Sequence, residues 1–505
     1  MEIHIHNISF CAIHNSPNMI RMQVFLMLHI NRDDPKPIWQ QLLDQVISHI
    51  SNGNWPQGEQ LIPSRELAQQ LGVSRSTVQL VYEELLARGY IVTSRRGGTR
   101  VTSCWNRAVA EPNQAEAEGP LLPSLPYINS YADQLKEWLK GEEAQEVRID
   151  FSPHEPYVDT VFQKIWRQTF QRASSQLSPA DWAYGDSYGF LPLREQIKRY
   201  LSLERGIHVQ TDQILLTSGA NHSINLIAQA LLSAQDTVSV EDPGFPAAWM
   251  VMKYRHLHVV PIPVDEHGLV VDLIPPESKL TFVTPSHQCA VGAVLSEPRR
   301  QQLVHMAMKN RSWIIEDDYD SEYRYRGDPL PTLFSQAPNH TLYMLSFSKM
   351  IAPGIRLSAL VGSQEAIAQL AQVQELIYRH VPIMEAATLT RFIELGHFMR
   401  HMRRVRNVYR RRHETLTKAI IDSGLAKRFT LSEVDTGSHI LLEAEPLFDE
   451  TIAVTQLLQR GIRVYPLGPY CMESTRRGWV LGFAKVEEEL IEEGIAQLAD
   501  VLLRT

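Results

Sequence analysis

From Ile149 onward, short apolar runs typical of buried strands alternate with longer spans typical of helices. The runs read QILLTSG, TVSVEDPG, LTFVTPS, SWIIEDD and TLYMLSF. Strands that alternate with helices in this way predict an α/β domain with a mostly parallel sheet. Sheets of this kind bind ligands in the crevice at the carboxyl ends of their strands, so the chemistry of this part of the chain should be sought there.

Length and composition limit what surrounds this sheet. A chain of 505 residues exceeds what one hydrophobic core supports, so at least two domains are expected. The net charge of -8 excludes a uniformly basic nucleic-acid-binding protein, although it permits a local basic face. The four cysteines form no CxxC motif and no Cys/His cluster, which indicates a reducing compartment and predicts no metal site. They are Cys11, Cys104, Cys289 and Cys471.

Residues 1–35 are interpreted as an N-terminal extension. Its apolar patch, from Met22 to Ile30, is too short to cross a bilayer and is not followed by a small-residue cleavage site. No other segment is long enough to span, so no membrane association is expected. The polar, His-rich first twenty residues fit either a disordered tail or an upstream start codon that is not used.

Residues 36–102 are predicted to form a small α+β domain. A stripe of apolar residues between Ile38 and Ile50 indicates the first helix. Ser64 is predicted to cap the second helix and Gly72 to end it. A third helix follows at once, and two short helices joined by a tight glycine-containing turn are typical of a helix-turn-helix.

The third helix presents polar residues at its N-terminal end. Ser74 is predicted to cap this helix and Gly89 to end it. In a helix-turn-helix that end enters the major groove, where arginine can pair with guanine and hydroxyl side chains can read base edges. The candidate base-reading residues are Arg75, Ser76 and Thr77.

The run IVTSRRGGTRV predicts a hairpin with a cationic tip, which is a wing. Residues 36–102 carry seven Lys/Arg and five Asp/Glu, so this segment has a charge of +2 in a chain of -8. The alternative is a helical interaction module whose arginines are incidental. The string LIPSRELAQQLGVSRSTVQLVYEELLARGYIVTSRRGGTRV resembles the winged helix-turn-helix of the GntR family over its whole length. This resemblance implies DNA contacts by Arg65, Arg75, Ser76, Thr77, Gly97 and Gly98.

Residues 103–148 change in composition. The stretch AEPNQAEAEGPLLPSLP is rich in Ala, Glu and Pro and shows no periodicity, which predicts a flexible linker. The second domain then extends over residues 149–505.

Three strand ends of the second domain carry polar residues that suit one ligand. Ser218-Gly219-Ala220 joins a strand to a helix, where free backbone amides can bind a phosphate. The run ending in Glu316-Asp317-Asp318 places carboxylates after a buried strand, where they need a cationic partner unless they simply cap a helix. SFSKMIAPGIRL offers Ser346, a lysine amine at Lys349 that can attack a carbonyl, and the planar guanidinium of Arg356.

A phosphate cup, a carboxylate and an amine together describe a site for pyridoxal 5′-phosphate. Residues 149–503 resemble a fold-type I aminotransferase, and SFSKxxxPGxRL is the most specific shared motif. The resemblance implies a three-layer α/β domain with a small C-terminal α/β subdomain. It also implies a Schiff base at Lys349 and an Asp317 carboxylate paired with the pyridine nitrogen.

Further roles follow from the same resemblance. Tyr319 would bond the ring hydroxyl, and Phe245, in EDPGFP, would stack on the ring. The phosphate would be held by Ser218, Gly219, Ala220, Ser346 and Arg356. Tyr184, in YGDSYG, would reach the phosphate of a neighbouring subunit, which implies a homodimer with shared sites.

The chain departs from the aminotransferase pattern in two places. TPSHQCAVGAV has Cys289 and Ala290 where the family has an asparagine near the ring hydroxyl, so His287 or Gln288 would have to substitute. WVLGFAKV has Val480 where an arginine commonly binds the substrate carboxylate. Arg476 and Arg477 lie nearby in the sequence, but the sequence does not place either of them in the pocket.

In this order the two modules resemble the MocR/GabR regulators over residues 22–503. The resemblance implies a DNA-binding transcriptional regulator that recognises an operator and senses an amino acid or amine through aldimine exchange on its cofactor. The alternatives are a working aminotransferase, in which Lys349 also acts as general base, and a DNA-binding scaffold with an inactive pocket. A run of seven arginines between Arg400 and Arg412 indicates a solvated helix face, with DNA backbone contact as the alternative.

Overall fold

The computed structural model describes most of the chain as two compact units, whose described parts are residues 28–102 and 147–504. Within these limits the described residues are 28–94, 98–102, 147–153, 155–325, 330–432, 435–446 and 448–504. The first 27 residues, the predicted wing tip at Arg95-Arg96-Gly97 and residues 103–146 of the predicted linker lie outside them. No helix in the described part of the chain is long and apolar enough to cross a membrane.

The first unit contains three helices and a hairpin. They are α1 (Ile38–Ser51), α2 (Ser64–Leu71), α3 (Arg75–Ala87), β1 (Ile91–Ser94) and β2 (Gly98–Val101). The apolar faces of the helices meet around the fully buried Trp55, and Ile91 and Val101 of the hairpin join the same core. The strands pair antiparallel, with Ile91 opposite Val101. The helix-turn-helix and wing predicted from the sequence are therefore confirmed as a fold.

The caps of the two short helices differ from the sequence prediction at one position. The Ser74 side chain accepts a hydrogen bond from the Thr77 amide and Gly72 adopts the left-handed conformation, as predicted. The prediction that Ser64 caps α2 is wrong. Pro63 holds the cap position without a side-chain bond, and Ser64 is the first helical residue. Proline is acceptable just before a helix because the amide that it lacks would have no intrahelical partner.

The second unit is a larger α/β domain. Its strands are β3 (Ile149–Asp150), β4 (Ile214–Thr217), β5 (Thr237–Asp242), β6 (His258–Asp265), β7 (Gly268–Leu269), β8 (Leu280–Val283), β9 (Trp313–Asp318), β10 (Thr341–Ser346), β11 (Ser358–Val361), β12 (Thr430–Leu431), β13 (His439–Ala444), β14 (Ile462–Arg463), β15 (Tyr465–Pro466) and β16 (Arg477–Gly482). Its helices are α4 (Thr160–Gln176), α5 (Leu191–Glu204), α6 (Ala220–Leu231), α7 (Pro246–Tyr254), α8 (Glu297–Asn310), α9 (Leu333–Gln336), α10 (Phe347–Met350), α11 (Gln364–Ile377), α12 (Ile383–Glu394), α13 (His397–Asp422), α14 (Glu450–Leu458) and α15 (Glu488–Leu502).

An eight-stranded sheet forms the centre of this domain, in the order β4-β11-β10-β9-β8-β5-β6-β7. Strands β10, β9, β8, β5 and β6 run parallel to one another, whereas β11 runs against both of its neighbours. The mostly parallel sheet predicted from the sequence is confirmed. Buried apolar residues from the strands and from the helices pack together in large clusters, which is typical of a sheet covered by helices on both faces.

The strand register brings distant residues to one edge of the sheet. Ser346 at the end of β10 lies opposite Ser358 of β11, which in turn lies opposite Thr217 at the end of β4. On the other side of β10, Met344 pairs with Asp317 of β9. The carboxyl ends of β4, β9 and β10 therefore meet, as expected for the binding edge of an α/β sheet.

A second, smaller sheet forms the C-terminal part of the same unit. Its order is β12-β13-β16-β15, all antiparallel, while β14 pairs with β3. This confirms the small α/β subdomain implied by the resemblance. The two parts are in contact, because three backbone amides that precede β16 bond the carboxylate of Asp242 at the end of β5.

The arginine run lies on α13 and is mostly bound within its own domain. Five of the seven arginines donate to described groups, and the buried Arg412 bonds the Ala484 carbonyl and the Glu487 carboxylate. The others are Arg400 to the Leu395 carbonyl, Arg404 to Asp159, Arg406 to the Glu322 carbonyl and Arg411 to Glu488. Much of this charge therefore holds α13 against the domain, which neither reading of the sequence anticipated.

A buried ion pair supports the end of β9. Arg205, which follows α5, pairs with Asp318, and both side chains are almost fully buried. The hydroxyl of Tyr343 donates to the same carboxylate from β10. Breaking such a pair on one side leaves an uncompensated charge in a medium of low dielectric constant.

We expect Arg205→Met to lower the free energy of unfolding of this domain by about 3–5 kcal/mol, because Asp318 would remain buried without its cation. The matched control is Arg148→Met, which removes an exposed pair with Glu493 and should cost less than about 1 kcal/mol. Thermal and denaturant unfolding of the full-length variants measure both. Equal losses in the two variants would contradict the role given to Arg205.

Candidate functional site

Lys349 lies on α10, one short turn beyond the carboxyl end of β10. Its side chain is half-buried, and burial lowers the pKa of its ammonium despite the acidic groups nearby. The Lys349 Nζ lies 3.4 Å from the Pro153 carbonyl oxygen, which belongs to the loop that follows β3. An amine whose pKa is lowered is more often neutral and is therefore a better nucleophile toward a carbonyl.

The three acids at the end of β9 have three different environments. Glu316 accepts hydrogen bonds from the backbone amides of Leu333 and Phe334 at the start of α9, so the helix-capping alternative holds for this residue. Asp318 pairs with Arg205. Asp317 is also buried, but its Oδ1 has no hydrogen-bond partner among the described residues.

The isolation of Asp317 shows in its pKa. Burial raises the pKa of this carboxyl well above its usual range, and the neighbouring Asp318, Asp320 and Glu241 raise it further. A buried acid of this kind binds a proton or a cationic group that a ligand brings in. Asp317 is thus the acid of the three that remains available to a ligand.

The residues predicted to hold a phosphate, here called the phosphate cup, lie around the turn between β4 and α6. Gly219, with a φ of +102°, holds the position before the first residue of α6. The Arg356 guanidinium donates a 2.8 Å hydrogen bond to the Ser218 carbonyl and leaves no room for a side chain at Gly219. Ala220 begins α6, and Ser346 approaches from β10 through the register described above. The structure thus brings all five predicted phosphate-binding residues to one edge.

His222 belongs to this cup and was not predicted from the sequence. Its Nδ1 accepts a hydrogen bond from the Ser218 amide at 2.9 Å. Burial and the charge of Arg356 lower the pKa of His222 to about 4. A neutral imidazole here fixes the turn without adding charge. The sequence signal that could have identified His222 is its position in the first turn of α6.

Tyr319 and Phe245 approach the same edge from two other loops. The Tyr319 hydroxyl lies 3.2 Å from His287 Nδ1, and burial raises its pKa well above the usual range, so it keeps its proton. Phe245 is half-buried at the start of α7, with its ring centroid 6.4 Å from that of Phe282 on β8. A flat aromatic ring is therefore present near the strand ends for stacking.

The two candidates for the missing asparagine have separate partners. Gln288 donates to the Glu241 carboxylate and to the Pro243 carbonyl, and Thr284 also donates to Glu241. His287 instead lies beside Tyr319. The structure therefore places His287, and not Gln288, where it can affect the ring-hydroxyl position.

His287 and two further buried groups form a cluster that the sequence did not predict. His287, Asp320 and His439 each bring a possible ligand atom within 4.8 Å of the others. Spacing along the chain predicts no metal site, because these residues come from three separate segments. His287 Nδ1 is already hydrogen-bonded to Asp320 Oδ2 at 2.8 Å.

The position at which an arginine was expected for a substrate carboxylate is apolar. Val480 is fully buried in β16, opposite Leu441 of β13. Arg476 is held by both oxygens of Glu443 and by the Val264 carbonyl, and Arg477 bonds the Arg476 carbonyl. The residue that would bind an effector carboxylate therefore remains unassigned.

Tyr184, the remaining predicted cofactor residue, lies on the surface of the second unit. Its side chain is 84% exposed, and the Arg379 guanidinium lies 5.2 Å from its ring centroid. A tyrosine presented to solvent in this way is available to another subunit.

The first unit presents its candidate DNA-contacting residues at the start of α2 and α3. Arg65 and Arg75 are exposed. The Ser76 and Thr77 hydroxyls both bond the Ser74 hydroxyl, at 2.8 and 2.7 Å, so the cap orients them. Gly98 has a φ of +70° and lies against Gln60, whereas Gly97 falls outside the described residues.

Two family models match the chain. Residues 39–101 match the model described as bacterial regulatory proteins, gntR family, and residues 156–498 match aminotransferase class I and II. Together they cover the two units of the structure.

Two similar proteins named as HTH-type transcriptional regulators match more than nine tenths of the chain. The uncharacterized HTH-type transcriptional regulator YdeL of Bacillus subtilis is 30% identical over 93% of this chain and 97% of its own length. The pyridoxine biosynthesis transcriptional regulator PdxR of Corynebacterium glutamicum is 28% identical over 94% of this chain and 98% of its own. A kynurenine aminotransferase of Pyrococcus horikoshii shares the fold, with a TM-score of 0.69 and 23% identity over 78% of this chain and 98% of its own.

We expect Gly219→Ala to weaken the binding of pyridoxal 5′-phosphate, the ligand predicted for this edge, by at least tenfold. An added methyl group would lie 2.9 Å from Arg356 Nη2 and would require a φ that side chains rarely adopt. Gly354→Ala is the matched control, because nothing lies within 4 Å of the added atom and the glycine is in the same loop as Arg356. Absorbance titration with the cofactor measures both affinities, and equal affinities would contradict the cup as drawn.

Proposed function

The chain belongs to the family of HTH-type transcriptional regulators in which a gntR-family DNA-binding domain is followed by an aminotransferase class I and II domain, and we propose that its second domain senses an amino acid or amine at Lys349. The protein is a DNA-binding transcriptional regulator. We place its action on operator DNA in the bacterial cytosol. The observation that carries the proposal is that the Lys349 amine lies near Asp317, whose Oδ1 has no hydrogen-bond partner among the described residues, in a chain that also carries a DNA-binding domain.

The cofactor of the second domain is pyridoxal 5′-phosphate. It supplies an aldehyde that condenses reversibly with primary amines, beside a pyridine nitrogen that becomes cationic. In this proposal Lys349 binds the aldehyde end, Asp317 the ring nitrogen and Tyr319 the ring hydroxyl. Phe245 covers the ring face, and the phosphate is held by Ser218, Gly219, Ala220, Ser346 and Arg356.

Two structural observations support this assignment. Asp317 has a buried oxygen with no hydrogen-bond partner in the described part of the chain, and a cationic ring nitrogen supplies that partner. Gly219 and Arg356 form a cradle that a Cβ atom would fill, at the N-terminus of α6 where backbone amides favour an anion. The acid lies on β9 and the phosphate cup follows β4, and the carboxyl ends of these strands lie at one edge of the sheet with β10 and β11 between them.

The amine of Lys349 gives the site its sensing capacity. A primary amine from solution would compete with the Lys349 amine for this aldehyde, and its binding would leave the lysine side chain free. An effector shifts a conformational equilibrium only by its differential affinity for the two states. Moving that equilibrium from 1:99 to 99:1 requires a difference of about 5.5 kcal/mol. We propose that the freed Lys349 and the bound amino compound supply this difference.

The alternative is a working aminotransferase with an appended DNA-binding domain. Relatives that match along the whole chain are named as transcriptional regulators. The Aromatic-amino-acid aminotransferase 1 of Thermococcus litoralis matches 74% of this chain. The apolar Val480 also offers no grip for a substrate carboxylate. These observations favour the regulator, while Lys349 and Asp317 permit some residual transamination.

We also propose that the regulator is a homodimer that shares its cofactor sites. Two segments beside Tyr184 expose large apolar side chains, and the Arg379–Tyr184 contact makes the segments neighbours. The exposed residues are Trp182, Tyr184, Leu191, Leu376, Ile377 and Tyr378. A contiguous apolar patch of this kind is typical of a subunit interface, and Tyr184 lies within it, ready to contact the partner's phosphate.

The central prediction concerns the visible absorbance of the protein and the residue to which the cofactor is attached. Purified protein should absorb visible light from the cofactor bound at Lys349. Borohydride should fix the cofactor irreversibly on the peptide that contains this lysine, as detected by mass spectrometry. Lys349→Ala should give no such adduct. A colourless wild-type protein that takes up no added cofactor would refute the proposal.

Two variants, one in each domain, test whether DNA binding and the response to amines belong to separate domains. Arg75→Ala should reduce specific operator affinity by roughly 1–3 kcal/mol while leaving the absorbance unchanged, because the arginine reads DNA only. Lys349→Ala should retain operator binding but lose its response to added amines. Footprinting with and without a panel of amines and amino acids measures both. Loss of both properties in one variant would contradict the division of roles.

The dimer can be tested by placing a charge in the apolar patch. Leu376 is 85% exposed, and Leu376→Asp should shift the full-length protein from dimer to monomer in sedimentation velocity, because a buried carboxylate opposes association. Leu273→Asp is the control, since Leu273 is also exposed but lies in the turn after β7. A dimer that persists in Leu376→Asp at micromolar concentration would argue against this interface.

A further inference from the structure

Tyr319 belongs to a chain of hydrogen-bonded side chains that extends away from the cofactor edge. Its hydroxyl lies 3.2 Å from His287 Nδ1, and the same nitrogen lies 2.8 Å from Asp320 Oδ2. His287 and Asp320 are both about 1% exposed. Since these residues come from the loop after β8 and the loop after β9, the fold, and not chain proximity, brings them together.

The imidazole of His287 is held from several sides. Gly437 has a φ of +82°, and its backbone lies so close to the imidazole that a Cβ atom there would overlap the ring. His439, at the start of β13, places its ring centroid 4.6 Å from that of His287. The position of His287 is therefore fixed by packing, and Asp320 sets which nitrogen carries its proton.

The hydrogen bond to Asp320 decides how Tyr319 can use its proton. A carboxylate only accepts hydrogen bonds, so His287 Nδ1 must carry the hydrogen and donate it. With Nδ1 as a donor, Tyr319 cannot donate to it and can only accept. The hydroxyl hydrogen of Tyr319 is then directed to another acceptor. Burial keeps that hydrogen in place by raising the pKa of Tyr319.

We propose that Asp320 and His287 are positioning residues that direct the Tyr319 hydroxyl hydrogen toward the ring hydroxyl of the cofactor. This inference rests on the proposed function, since it assumes that the cofactor lies beside Tyr319. Asp320 acts through His287, and His287 acts through Tyr319. The three residues thereby set how readily the cofactor bound at Lys349 loses its proton, and so how readily an amine effector displaces the lysine.

The test uses full-length protein loaded with pyridoxal 5′-phosphate and follows its absorbance against pH. This titration gives the pKa of the cofactor chromophore, which a purely structural role would not move. A donor to the ring oxygen stabilises the deprotonated form, so its loss raises this pKa. Tyr319→Phe, His287→Gln and Asp320→Asn should each raise it by about half to one unit.

The decisive measurement is a double-mutant cycle. If Asp320 and His287 act through Tyr319, neither substitution should change the chromophore pKa further in a Tyr319→Phe background. Other titratable groups that face Tyr319, namely Cys289, Asp317 and Glu241, are unchanged in every variant. His340→Gln is the matched control. His340 is half-buried at the opposite end of β10, 3.3 Å from the Ser312 carbonyl, and should shift nothing.

The proposal would be overturned by a chromophore pKa that is unchanged in both His287→Gln and Asp320→Asn while Tyr319→Phe shifts it. It would equally be overturned if His287→Gln or Asp320→Asn still shifted the chromophore pKa in the Tyr319→Phe background. A third contrary result is a Co²⁺ titration of the loaded wild-type protein that produces ligand-field absorption lost in His287→Gln, since the cluster with His439 would then be a metal site. Absence of any chromophore in the wild type would instead refute the proposed function.

Should Asp320→Asn fail to fold, as judged by its thermal unfolding, His287→Gln tests the same hydrogen bond from its other side. Its cycle with Tyr319→Phe is sufficient for the decision. A coupling that returns the Tyr319→Phe value in the double variant supports the proposal, and independent shifts overturn it.

Discussion

A surplus of buried negative charge at the end of β9 organises the second domain. Glu316, Asp317 and Asp318 follow one another on a strand with an almost fully buried backbone, and a carboxylate in such a place must find a partner or a proton. The fold supplies helix amides to Glu316 and a guanidinium to Asp318. The fold gives Asp317 no comparable partner among the described residues, so this carboxyl group requires a cation from a ligand. The acid that the domain itself stabilises least is therefore the one that selects the ligand.

The register of the sheet places the carboxyl group that lacks a partner beside the other groups of the proposed binding site. Because β10 lies between β9 and β11, the residues at its end have the acid on one side and the phosphate cup of β4 on the other. Lys349 follows on α10 and therefore lies between the turn proposed to hold a phosphate and Asp317, whose Oδ1 has no hydrogen-bond partner in the described part of the chain. A ligand with a phosphate at one end, a cationic ring nitrogen and an aldehyde satisfies all of these groups together.

The sequence predicted those parts of the structure that depend on local patterns. Apolar alternation identified the parallel sheet, and Ser74 and Gly72 marked helix ends through side-chain and backbone preferences that act within one turn. The prediction that Ser64 caps α2 is wrong because Pro63 already occupies the cap position of that helix. His222 bonds Ser218, only four residues away, and was not predicted although the sequence places it near the start of a helix. Arg205 and the His287–Asp320 pair were not predicted because the two partners are distant in sequence. Recognising them requires the register of the strands.

Coupling between ligand and conformation depends on which parts of the domain the ligand touches. The edge described here receives residues from the large sheet, through Asp317 and Lys349, and from segments near the small sheet, through Pro153 and the Gly437 backbone against His287. The Asp242 carboxylate already joins the two sheets through three backbone amides. Under the proposed function, an effector that displaced Lys349 would change contacts on both sides of this junction, so its binding free energy would depend on how the two sheets are placed relative to each other. Such a dependence is the requirement for a ligand to favour one conformation over another.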